Sequence, residues 1–163
     1  MKIYLASPLF SPVERSFNQQ LCTAMEPYFQ VYLPQRDGIL VEDAISGGAW
    51  TSEAASRQAF RDDIAAIHAS DFMLAVLDGR SPDEGVCVEM GYAKAIGVRI
   101  VGFKSDARVA LPWGHNPMIE GCVELWIANL QDLEMWAQAE STKCTEDQQK
   151  QQIVQTGSLK LVG

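Results

Sequence analysis

The stretch Asp78-Gly79-Arg80-Ser81-Pro82-Asp83-Glu84-Gly85-Val86-Cys87-Val88-Glu89-Met90-Gly91-Tyr92-Ala93 decides how the chain is read. It follows Phe72-Met73-Leu74-Ala75-Val76-Leu77, an unbroken apolar run, as expected of a strand buried on both faces of a parallel sheet. Asp78-Gly79 and Ser81-Pro82-Asp83 punctuate that strand, and a helix is predicted to open near Asp83. In helical register Val86, Glu89, Met90 and Ala93 fall at i, i+3, i+4 and i+7, so Glu89 lies inside the stripe that faces the core. Burying an unpaired carboxylate is costly or forces its pKa up, so a carboxylate kept there is expected to be paired or to do chemistry. The alternative is a partly exposed Glu favoured by the helix dipole, an effect that fades beyond the first turn.

Working outward, Lys2-Ile3-Tyr4-Leu5-Ala6 reads as a first strand running into the turn-rich Ser7-Pro8-Leu9-Phe10-Ser11-Pro12. Ser11 can cap a following helix and Pro12 suits its first position, with Val13, Phe17, Leu21, Ala24 and Met25 tracing one face. Val31-Tyr32-Leu33 is a short second strand, and the segment from Gln35 to Trp50 is expected to be a long connection of the kind that forms lids or binding loops. Thr51 or Ser52 can cap the next helix, where Phe60, Asp63, Ile64 and Ile67 repeat the earlier anomaly with Asp63 in the apolar stripe. Asp62 points about 100° away and reads as an ordinary solvated acid. Gly97 closes the helix that carries Glu89; Arg99 to Phe103 is a fourth strand, Val123 to Ile127 a fifth, and Leu130 to Ala139 a last helix.

Five alternations of strand and helix predict one α/β domain: a doubly wound five-stranded parallel sheet in a three-layer, flavodoxin-like sandwich spanning residues 1–140. Residues 141–163 turn polar and are expected to form a mobile tail. Ligands of such sheets bind beyond the carboxyl ends of the strands, near the switch in strand order.

A net charge of −8 disfavours a nucleic-acid polymer or an anionic membrane as partner, and no stretch approaches the ~20 apolar residues of a membrane span. Cys22, Cys87, Cys122 and Cys144 lack metal-ligand spacing, so core thiols plus one tail thiol in a reducing compartment are expected, in a cytoplasmic protein with no metal. Ser7-Pro8 and Glu14 interrupt the start before a signal-like apolar region could form. Neither GxGxxG nor GxxxxGK[ST] occurs, and Asp78, Asp83 and Glu84 oppose an anion at the key helix, so an uncharged, hydroxyl-rich ligand is expected.

Glu89, Asp63 and Asp83 would share one cleft. Two carboxyls in unlike environments suit glycosidic chemistry, one meeting the anomeric carbon while the other protonates the leaving group; metal binding and structural hydrogen bonding are the alternatives.

Tyr4-Leu5-Ala6-Ser7-Pro8-Leu9-Phe10, Asp63 followed by Ser70-Asp71, Asp83-x-Gly85-x-x-x-Glu89-x-Gly91-Tyr92-Ala93, and Asn116-x-Met118 together resemble the nucleoside 2-deoxyribosyltransferase family in order and spacing. The resemblance implies retaining transfer of 2-deoxyribose between nucleobases without a cofactor, the partners being 2′-deoxyribonucleosides and free purine or pyrimidine bases. It gives Glu89 the nucleophile's part, through a covalent deoxyribosyl ester, and Asp63 proton transfer at the base. Asp83 and Asn116 match groups that hold sugar hydroxyls and steady the nucleophile, Asn116 from a neighbouring subunit, so a homo-oligomer built from dimers, up to a hexamer, is implied. Gln35 in Gln-x-x-Gly-Ile matches a base-binding amide, and Tyr4 and Phe10 would line the base slot. Met118 reads equally as a packing residue or a pocket wall.

The tail departs from the family pattern, since Ser141 to Gly163 has no matching aromatic segment. Two rivals remain. An N-hydrolase of deoxynucleoside 5′-monophosphates would place Gly-Ser-Ile-Arg-Gly after the first strand, where this chain has Ala6-Ser7-Pro8-Leu9-Phe10. A silent nucleotide-binding domain would have no need of carboxylates in apolar stripes.

Overall fold

The computed structural model describes residues 1–159, with the side chains of residues 1–146. Its elements are β1 (Lys2–Ala6), α1 (Pro12–Met25), β2 (Gln30–Tyr32), α2 (Pro34–Asp37), α3 (Val41–Ser46), α4 (Ser52–His68), β3 (Phe72–Val76), α5 (Glu84–Ala95), β4 (Arg99–Phe103), α6 (Pro117–Glu120), β5 (Leu125–Ile127) and α7 (Leu130–Leu159). All four strand pairings are parallel, in the order β2-β1-β3-β4-β5. That is the doubly wound, flavodoxin-like order, and it puts the switch point between β1 and β3.

Strand alternation divides the core. Ile3, Leu5, Leu74 and Val76 face α1 and α7, where Leu21, Met25, Leu133 and Ala137 complete one layer. Tyr4, Ala6, Met73 and Ala75 face the opposite side, against Ile67 of α4 and Val86, Met90 and Ala93 of α5. Every residue of β3 is buried, as its apolar run predicts.

Helix ends follow their chemistry. Ser11 and Glu14 form a reciprocal capping box ahead of α1, with Pro12 as its first residue. Thr51 caps α4 and Asp83 caps α5. Gly97, at φ +84°, turns the chain out of α5.

Several expected boundaries shift. The second strand begins a residue early and ends at Tyr32, because Pro34 already opens α2. The segment from Gln35 to Trp50 is not a bare connection but holds α2 and α3. Val13 is exposed, because it lies in the first turn of α1, and Asn18 takes its place among the buried residues. On α4 the sheet-facing line runs through Ala55, Ala59, Asp63 and Ile67, at steps of four, which leaves Phe60 62% exposed. The last helix does not stop at Ala139: no Pro interrupts the sequence, and Glu140 is anchored there by Arg99 at 2.7 Å and Lys143 at 3.0 Å. The side chains of 147–163 and the fold of 160–163, part of the expected tail, lie outside the described residues.

Candidate active site

Three elements converge at the switch point. β1 alternation turns Tyr4 toward α4 and α5; the four-residue line of α4 brings Asp63 to the same face; and α5, fixed at its start by Asp83, brings Glu89 there beside buried Val86, Met90 and Ala93. Tyr4 is fully buried, and its hydroxyl donates to Oε1 of Glu89 at 2.6 Å. The same hydroxyl is close enough to Asp63 to lower that carboxyl's pKa. Tyr32 stacks on Tyr4, with ring centroids 5.6 Å apart and planes 13° from parallel, and fixes the ring sideways.

Burial dominates the electrostatics. It pushes Glu89 up to about 7; the charges of Asp63 and Asp83 add to the rise, and the Tyr4 hydrogen bond opposes it. Asp63 rises to about 6, again chiefly through burial, with Asp62 adding and Tyr4 opposing. The Tyr4 phenol is held far above its ordinary range by burial and by the two carboxylates, so it stays a hydroxyl. Near neutral pH two such carboxyls can hold one proton between them, and the site can then offer one nucleophile and one acid.

Asp63 also lines a cavity of about 200 Å³ with Leu9, Phe10, Ile39, Leu40 and Ala59. Phe10 stands 71% exposed beside it, as a slot wall would. Asp83 accepts from the backbone N–H of Gly85 at 2.9 Å and of Val86 at 3.1 Å, all through Oδ1, so its second oxygen makes no cap bond.

Two expected binding roles come out differently. Tyr4 does not line a slot, because it lies fully buried beneath Glu89. Gln35 does not present its amide to a ligand: Oε1 accepts from Asn18 at 3.0 Å and Nε2 donates to the Arg15 carbonyl at 2.8 Å, which ties α2 to α1. The glycine of its motif has a steric reason, since a β-carbon on Gly38 would come within 2.8 Å of the Pro34 carbonyl oxygen. Asn116 is exposed and caps α6 by accepting from Met118 N at 2.9 Å; with Arg80 and His115 it lines a second cavity that the carboxylates do not share. Met118 is 77% exposed and so is not a core packing residue within this chain.

Two residues escaped the sequence reading. Asn18 is buried and donates to the Pro8 carbonyl at 2.9 Å, which holds the loop after β1. Its signal was available: Asn18, Leu21, Cys22 and Met25 fall at i, i+3, i+4 and i+7, the same anomaly that marks Glu89. Arg15 reaches the cavity from α1, donating through Nε to the Leu9 carbonyl at 2.6 Å with Nη2 3.8 Å from Glu42.

The strand order, with the carboxyls of Glu89 and Asp63 brought to one face at its switch point, defines a doubly wound, flavodoxin-like α/β protein. The chain belongs to the nucleoside 2-deoxyribosyltransferase family, whose family model matches residues 3–154, a family of enzymes that carry out glycosyl transfer on nucleosides. Among solved structures it is similar to a conserved protein from Enterococcus faecalis V583, at 24% identity over 86% of this chain and 98% of that one, with a TM-score of 0.70. It is also similar to a 2-deoxyribosyltransferase from the psychrotolerant Bacillus psychrosaccharolyticus, at 20% identity over 82% and 90%, TM-score 0.68. A third likeness is to a CMP N-glycosidase from Clostridium botulinum, at 17% identity over 85% and 97%, TM-score 0.55. At these identities the likeness is one of fold. No curated protein sequence matches the chain significantly.

Proposed function

We propose that this protein exchanges the nucleobase of 2′-deoxyribonucleosides by retaining double displacement through a covalent deoxyribosyl-Glu89 ester. The observation that carries this reading is the junction at Tyr4: a buried hydroxyl 2.6 Å from Glu89 and beside Asp63, with both carboxyls raised toward neutrality. In the first half-reaction a Glu89 carboxylate oxygen bonds to C1′ as the C1′–N bond breaks, and Asp63 gives its proton to the departing base. In the second, the acceptor base attacks C1′ from the face the first base left, Asp63 takes the acceptor's proton, and the Glu89 carboxylate is released. Two inversions give net retention. No metal or organic cofactor is needed, because the electrons move only between carboxylate, C1′ and base nitrogen.

The apolar cavity of about 200 Å³ beside Asp63 suits a planar heterocycle, with Phe10 as one wall. The free oxygen of Asp83 is the group offered to a sugar hydroxyl. Asn116 and Met118 are exposed, Asn116 lining a cavity that these carboxyls do not share, and α5 and its C-cap leave Val88 64% and Ile96 38% exposed beside Gly91 and Ala95. Both features favour a homo-oligomer in which Asn116 and Met118 serve a neighbouring subunit's site, and the activity serves nucleoside salvage in the cytoplasm.

Chromatography of the protein with deoxyadenosine and cytosine, beside donor alone, tests the reading. Deoxycytidine is the expected product. Adenine released equally with or without cytosine would replace transfer by hydrolysis, and no reaction would remove both for this substrate pair.

A further inference from the structure

The cavity beside Asp63 has few polar walls, and they differ in kind. Besides Asp63, the ionisable side chains that line it are Arg15 of α1 and Glu42 of α3; the other lining residues are apolar. Arg15 is held in place. Its Nε donates to the Leu9 carbonyl at 2.6 Å, and its own carbonyl accepts from Gln35 Nε2 at 2.8 Å, so both the loop after β1 and α2 fix where the guanidinium stands. Its Nη1 and Nη2 make no hydrogen bond among the described residues, for Glu42 Oε2 lies 3.8 Å from Nη2, beyond hydrogen-bond reach.

A guanidinium carries donors and no acceptor. Facing an apolar cavity, those donors are satisfied by a ligand that brings an acceptor, whereas a ligand that brings another donor leaves both groups unpaired. Nucleobases differ in this respect. The exocyclic oxygen of a 6-oxopurine only accepts, and the exocyclic amine of a 6-aminopurine presents N–H groups. Glu42 has the opposite preference, but its side chain is 83% exposed and water can serve it, while the Arg15 side chain is 35% exposed and tied to Leu9. The fixed group governs the choice. We infer that Arg15 is a specificity-determining residue that donates to the exocyclic oxygen of the base, so that the site prefers 6-oxopurines to 6-aminopurines. Because water still reaches part of Arg15, the preference is about tenfold rather than the ~10⁴-fold of a sealed polar site. This inference rests on the proposed base exchange, in which the base that receives its proton from Asp63 occupies this same cavity.

The test is a competition between hypoxanthine and adenine, at equal concentrations in one reaction, for the deoxyribosyl group of thymidine. Both acceptors draw on the same donor step, so the initial ratio of deoxyinosine to deoxyadenosine is the ratio of their kcat/KM values. Arg15→Met keeps the length of the side chain and removes every donor; it is expected to lower this ratio about tenfold. Loss of the contact with Leu9 slows both acceptors alike and leaves the ratio untouched, so a merely structural role gives a different result. Arg15→Gln, whose amide can donate or accept, is expected to lower the ratio as well and serves should Arg15→Met not fold. A ratio that these variants leave unchanged or raise overturns the inference while base exchange stands. Formation of neither product by the unaltered protein would instead overturn base exchange for these substrates, and the inference with it.

Discussion

The indole of Trp126 lies against the α-carbon of Gly102 so closely that a β-carbon there would sit 2.9 Å from both Cε3 and Cζ3. Trp126 in turn stacks on His115, with centroids 4.1 Å apart and planes 9° from parallel, one residue before Asn116. The bare backbone of β4 therefore seats the loop that carries Asn116 and Met118. Gly102→Ala forces the indole off the strand, with an expected loss of about 1–3 kcal/mol in chemical denaturation. An unchanged denaturation midpoint would show that the ring yields freely.

Glu89→Ala is expected to reduce base exchange by roughly a thousandfold or more, while the fold is unchanged or slightly more stable, since a half-desolvated carboxyl is removed. Product chromatography and thermal unfolding read the two effects separately. Normal turnover would remove Glu89 from the chemistry.

Asp63 and Asp62 are adjacent, yet their surroundings differ. Asp63 meets Tyr4 and the cavity, whereas Asp62 accepts from Gln58 Nε2 at 2.7 Å. Asp63→Asn is expected to slow base release by roughly a hundredfold or more, the usual worth of a positioned general acid, and Asp62→Asn to change it by less than about threefold. Equal losses would mean that the register of α4 does not separate the two acids.

The raised carboxyls carry a pH signature in stability. Folding lifts Asp63 from 3.8 to about 6 and Glu89 from 4.5 to about 7, so the folded state binds more protons than the unfolded chain between those values. Their contribution is fully present below about pH 4 and is lost as pH rises toward 7. Glu26, Asp37, Asp106 and Glu140 have lowered pKa values and act in the opposite sense at lower pH. The difference in urea midpoint between the protein and Asp63→Asn/Glu89→Gln isolates the first effect; it should shift in favour of the double variant from pH 4 to 7, and a constant difference would contradict the raised values.

If Asn116 serves a neighbouring site, co-expressed Glu89→Ala and Asn116→Ala chains should recover activity that neither has alone. Random pairing in a symmetric assembly gives about a quarter of the unaltered rate. No recovery in a verified mixed oligomer would confine each site to one chain.

Local chemistry made much of this protein legible in one dimension. The apolar run of β3, the caps at Ser11, Thr51 and Asp83, and the turn at Gly97 are short-range signals, and each element they mark is present. The carboxyls of Glu89 and Asp63 were legible because a charge in an apolar stripe conflicts with its own helix. The phase of α4 was not, since Phe60 and Ala59 compete for the stripe and only packing against the sheet chooses Ala59. Gln35 could not be read either, because its partners Asn18 and the Arg15 carbonyl come from another helix.

The sequence by itself determined the α/β alternation and the two anomalous acids, because periodicity and capping act over a few residues. Only the tertiary structure decided that Tyr4 sits beneath Glu89 rather than against a ligand. That contact spans 85 residues of chain, and it exists because strand alternation in β1 and the register of α5 bring one hydroxyl and one carboxylate to the same face of the sheet.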